Sequence, residues 1–148
     1  MKKYLAILSM LLVSACASVP MTTPQQDQAA KQFAAPPSDK SNLYIFRDEQ
    51  FGAAIPMGVT LDGRMLGKTA AKTYFFLTIP PGRHSVVSSA ENDSVLDWDA
   101  EAGKEYYVWQ EVKMGLMMAR SKLHFVAPER GQEGVLASKR ILDQYDPQ

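Results

Sequence analysis

The sequence predicts a mainly β protein, a small antiparallel β-sandwich or open barrel of seven to eight strands with a short C-terminal helix. Three observations predict it. Short runs of β-forming residues recur from Asn42 onward. Turn signals separate those runs, above all Asp62-Gly63 and Pro80-Pro81-Gly82. The chain is also long enough for one domain with a real core and too short for two ordinary ones.

Taken in order, Asn42–Arg47 is the first strand, short and rich in β-formers. Met57–Leu61 and Arg64–Leu66 flank Asp62-Gly63, which suits a type I′ turn because both central positions need positive φ. Thr73–Ile79 alternates, with Phe75, Leu77 and Ile79 on one face, until Pro80-Pro81-Gly82 turns the chain. His84–Ser89 places Val86 and Val87 on opposite faces. Val95–Ala100 sets Leu96 and Trp98 against Asp97 and Asp99. A turn at Ala102-Gly103-Lys104 leads into Glu105–Lys113, the longest strand, and Ser121–Val126 supplies one more. Between Glu129 and Tyr145, Val135, Leu136, Ile141 and Leu142 suggest a short helix packed on the sheet.

The N-terminus differs in kind. Lys2 and Lys3 precede an apolar run from Leu5 to Val13, then Ser14, Ala15 and the only cysteine, Cys16. A positive start, a short apolar core and small residues describe a secretory signal peptide. The run is too short to cross a bilayer, which takes about 20 apolar residues. From Ala17 to Lys40 the chain turns to Pro, Gln, Ala and Thr and reads as a tether, spanning roughly 25–30 Å if flexible. Inside it, Thr23 could cap a short helix with Pro24 at its first position, and a linker disordered throughout is the alternative. The expected organisation is a signal peptide at 1–15, a lipidated tether at 16–40 and a β-rich domain at 41–148.

Val13-Ser14-Ala15-Cys16 resembles the lipobox of bacterial lipoproteins. That resemblance implies cleavage before Cys16 and acylation of Cys16. Ala17, where an Asp would favour inner-membrane retention, implies an outer-membrane address on the periplasmic side. One acyl chain binds only marginally, and three would anchor firmly. Further on, Val59-Thr-Leu-Asp-Gly, Gly67-Lys-Thr and Leu77-Thr-Ile-Pro-Pro-Gly-Arg-His84-Ser-Val resemble the core of PEGA-type surface domains. The stretch from about Asn42 to Val126 resembles the bacterial lipoprotein group called domain-of-unknown-function family 2846. Leu43-Tyr-Ile-Phe-Arg47 and Gly103-Lys-Glu-Tyr-Tyr-Val-Trp-Gln-Glu-Val112 carry that likeness. It implies an architecture and no reaction.

Composition narrows the chemistry. With 16 basic and 16 acidic residues and no basic run, nucleic acid is not an expected partner. With one cysteine, no internal disulfide forms, so packing must hold the domain. His84 and His124 stand far apart without an HExxH or paired CxxC pattern, and no metal or cofactor is expected. There is no Gly-x-Ser-x-Gly elbow or glycine-rich phosphate loop. His84, directly after a turn, is expected to make a structural hydrogen bond. Met114, Met117 and Met118 cluster after the long strand; thioethers can hold Cu(I), but filling core gaps is the ordinary use of Met.

Tyr107 and Trp109 share a strand face with Glu105, Glu111 and Lys113, opposite Tyr106, Val108 and Val112. They are the candidate contact surface for an envelope protein or glycan, unless the C-terminal segment covers them. The expectation is a non-enzymatic, lipid-anchored binding or structural module. A small enzyme acting on cell-wall or envelope polymers is the alternative.

Overall fold

A computed structural model of the chain describes residues 18–145, so the expected signal peptide and Cys16 lie outside the described residues. Nine strands form two facing sheets. One contains β1 (Ser41–Arg47), β4 (Thr73–Ile79), β7 (Glu105–Met114), β8 (Ala119–Phe125) and the two-residue β9 (Lys139–Arg140), in the order β8-β7-β1-β4-β9. The other contains β2 (Met57–Leu61), β3 (Arg64–Thr69), β5 (Gly82–Ser89) and β6 (Asp93–Ala100), in the order β3-β2-β5-β6. Two short helices, α1 (Pro24–Ala30) and α2 (Pro128–Leu136), cover the outer face of the five-stranded sheet.

The protein is therefore a sandwich with a helical cover. Between the sheets, Leu43, Ile45, Val59, Leu61, Phe75 and Val108 form the main core. On the other side of the same sheet, Tyr44, Phe46, Tyr74 and Tyr107 pack beneath Ala30 and Val135. All seven residues of β1 are buried, which is why both its odd and its even positions are apolar or fully engaged. The five-stranded sheet is mixed rather than purely antiparallel. β1 pairs antiparallel with β4 and parallel with β7, and β4 pairs parallel with β9.

The expected hairpin is present. Asp62 and Gly63 both have positive φ, 52° and 77°, as a type I′ turn requires. Register along β2 and β3 then shifts between Val59 and Thr60, and Gly67 at φ 143° absorbs the bulge while Leu66 turns into the core.

Residues 18–40 correct the expected tether, because they pack on the domain instead of hanging from it. Met21 bridges Ile141, and Thr22 N–H donates to the Arg140 carbonyl. α1 does begin as the sequence suggests, with Thr23 and Gln26 forming a capping box and Pro24 in the first turn. What composition concealed is its docking. The Asp27 carboxylate accepts from the Tyr74 hydroxyl at 2.7 Å, the Arg140 amide at 2.9 Å and Lys31 Nζ at 2.8 Å. Phe33 then joins the aromatic cluster, 5.6 Å from the Tyr44 ring.

Parts of three sheet edges are engaged. Asn92 and Ser94 from β6 and its preceding turn accept the Ser121 and Leu123 amides of β8 with their side-chain oxygens. Residues 20–22 lie along Ile141 beyond β9, and the Gln144 amide donates to Leu66 of β3.

Candidate functional site

The aromatic pair expected to meet a partner is largely enclosed. Tyr107 is 1% exposed, stacks on Tyr44 at 4.9 Å and lies under α2. α2 comes this close because residues 131 and 134 are glycines. A Cβ at Gly131 would overlap the Tyr107 ring, and one at Gly134 the Phe46 ring. Burial pushes the Tyr107 hydroxyl up to about 12. Trp109 is half-buried. His124 stacks on it at 5.3 Å, and the Arg130 guanidinium lies over it at 5.3 Å, held by Asp48 at 2.8 Å. The C-terminal segment thus covers this face, and Tyr107 offers no open ring to a partner.

His84 is occupied at both nitrogens. Nδ1 lies 2.7 Å from Asp62 Oδ2, and Nε2 lies 2.7 Å from the Pro80 carbonyl oxygen. Asp62 Oδ1 also accepts the Ser85 amide at 2.8 Å. The ring therefore joins the β2–β3 hairpin to the Pro80-Pro81 turn, with Trp98 against its face at 5.4 Å. Its imidazole presents no free nitrogen to a reacting group.

A second polar cluster lies between the sheets, marked by no local sequence pattern. Thr69 Oγ1 donates to Gln110 Oε1, Gln110 Nε2 donates to Ser88 Oγ, and Ser121 Oγ joins Ser88. All four residues are buried. These four side chains are neutral hydroxyls and an amide, and their bonds fix the alignment of the two sheets. Arg47 is likewise fully buried, and it ties the β1–β2 loop by donating to the Ile55 and Gly52 carbonyls. Burial lowers its pKa, and the charge of Glu49 opposes that shift.

Two surface features remain. A groove of about 700 Å³, mostly apolar, runs between Val19 and Pro20 on one side and Met65, Leu66 and Leu142 on the other. The β7–β8 tip differs most from expectation, because its methionines do not fill the core. Met114 is 78% exposed, Leu116 and Met117 are each 92% exposed, and Met118 is 59% exposed. This tip is rigidly held. The Glu91 carboxylate accepts the backbone amides of Leu116, Met117 and Met118 at 2.8–2.9 Å. Those bonds hold the Glu91 carboxyl down to about 2. Gly115 is required, since a Cβ there would meet the Met118 carbonyl. Among the described residues, no group of three or more His, Cys, Asp or Glu side chains is arranged to hold a metal.

The fold thus defines a two-sheet β domain with a helical cover, held by its own N-terminal segment and tied together by polar clusters. By sequence, the chain belongs to a family described as a protein of unknown function, domain-of-unknown-function family 2846, whose pattern matches residues 37–122. It is also 35% identical over 126 residues to an uncharacterised protein of Haemophilus influenzae (strain KW20/Rd), a match covering 84% of this chain and 75% of that protein. No solved structure matches it.

Proposed function

We propose that this protein is a lipid-anchored envelope lipoprotein whose β domain serves as a non-catalytic binding or structural module. The observation that carries the reading is the placement of Cys16 directly behind an apolar run and the small residues Ser14 and Ala15. Ala17 after the cysteine supports an outer-membrane address on the periplasmic side. The packing of residues 18–40 refines the reading: the link between anchor and domain is short, so the module works close to the bilayer surface. The non-catalytic part of the reading is supported by His84, whose two nitrogens both lie 2.7 Å from oxygens of the domain.

The direct test is Cys16→Ala in cells fed a fatty-acid analogue. The expected result is loss of label, with uncleaved or soluble protein accumulating. Labelling equal to wild type would remove the proposal.

A further inference from the structure

We propose that the β7–β8 tip is a second membrane contact, dipping Met114, Leu116, Met117 and Met118 into the bilayer surface that carries the lipid anchor. The inference deepens the lipoprotein reading and rests on it. Three observations converge. First, the tip is apolar and outward-facing, with four large side chains between 59% and 92% exposed, and Phe51 on the neighbouring β1–β2 loop adds a fifth at 49%. That loop touches the base of the tip, since Gly52 lies against Val112 and Ala119.

Second, the tip is a fixed turn. β7 runs past Trp109, its last residue paired with β1, with Gln110 and Val112 still buried between the sheets, and the hairpin turns fully outward from Lys113. Glu91 clamps its three amides, and Gly115 sets its turn. Ordering the apolar side chains before contact lowers the entropy lost on insertion.

Third, Ser18, two residues from the proposed anchor, lies by the same end of the sandwich. Ser18 and Val19 line a groove with Ala70, Ala71 and Lys72 of the β3–β4 turn. That turn borders Thr73, which pairs with Arg47 at the end of β1 from which parallel β7 projects. Cys16 stands only two residues before Ser18, a span of about 7 Å at most. A bilayer holding the lipid of Cys16 therefore lies near this end of the domain.

The charges around the tip are largely matched. Lys113 pairs with Glu111 at 3.0 Å, and Arg120 lies beside Glu91. The contact is accordingly apolar and should not depend on anionic lipid.

The test uses the full-length protein purified from cell membranes and reconstituted in phosphatidylcholine vesicles with brominated acyl chains. Met117→Trp places a reporter at a fully outward position. Ala102→Trp places another at an exposed position of the turn before β7, at the opposite end of that strand from the tip. Wild type supplies the background of Trp98 and Trp109. The Met117→Trp signal should be quenched at least about twofold more than that of Ala102→Trp, because an interfacial side chain lies about 5–10 Å into the headgroup–acyl boundary. Equal quenching overturns the inference, whether the tip stays in water, meets a second copy or docks on another protein. Mass spectrometry of the Cys16 peptide in the same samples separates the two proposals. Acylated Cys16 with an unquenched tip defeats only the tip contact, whereas unmodified Cys16 with a quenched tip defeats only the anchor.

Discussion

Glu91 shows how one exposed side chain can order a loop that buries almost nothing. Its carboxylate lies well below the ordinary 4.5 because the Met118, Leu116 and Met117 amides donate to it. Since the folded value is depressed, the clamp is at full strength above about pH 4.5 and is lost as pH falls through about 2. The tip should therefore stay ordered in mild acid. Glu91→Gln should speed hydrogen exchange at Leu116, Met117 and Met118 at neutral pH while leaving the melting temperature nearly unchanged. Unaltered exchange at those three amides would show that the turn holds itself. Nothing in the sequence marked this residue, because Glu91 and its partners are more than 20 positions apart.

Among the elements, strands were the legible part. Alternation at Thr73–Ile79 and the Asp62-Gly63 turn located β2, β3 and β4 because period-two burial and positive φ leave local marks. Partner choice leaves none. The parallel pairing of β1 with β7 joins residues some 60 positions apart, and no local pattern distinguishes it from an antiparallel one. α2 was harder still, because Gly131 and Gly134 weaken its helical signal while serving its packing. Those glycines lead to an inverted expectation. Gly131→Ala gains about 1 kcal/mol in helix propensity but overpacks Tyr107 at a cost of about 1–3 kcal/mol. Packing should win, and urea denaturation should show the variant destabilised. A stabilised variant would mean that α2 can lift from the sheet freely.

At the scale of the molecule, the domain is larger than its strands. Composition made residues 17–40 look like a spacer because Pro, Gln and Ala bury little, yet Asp27 and Phe33 dock the segment from residue 18 onward on the five-stranded sheet. Burial alone would raise the Asp27 carboxyl; the Lys31, Tyr74 and Arg140 groups outweigh it and hold it below 3.8. Its contribution is therefore complete above about pH 3.8 and disappears as acid protonates it. Asp27→Asn should lower stability by about 1.5–3 kcal/mol at pH 7, the range for hydrogen bonds to a charged group. Thermal melts should show the difference from wild type narrowing below pH 3.8, and a constant difference across pH would assign the loss to something other than charge. The same docking closes the candidate aromatic face, the covered alternative that the sequence left open. Tyr107 looked solvent-framed along its own strand, but Phe33 and α2 close over it from opposite ends of the sequence.

Under the proposed lipid anchor, the engaged stretches of sheet edge have a further consequence. Molecules confined to a plane by a lipid collide with their own kind far more often than the same number free in volume. An open strand edge under those conditions is a template for fibrillar growth. Asn92 and Ser94 occupy the β8 amides, residues 20–22 flank the strand at Ile141, and Gln144 reaches β3. Neighbouring copies find these stretches of edge already engaged, which under the proposed lipid anchor would limit growth from copy to copy across the membrane.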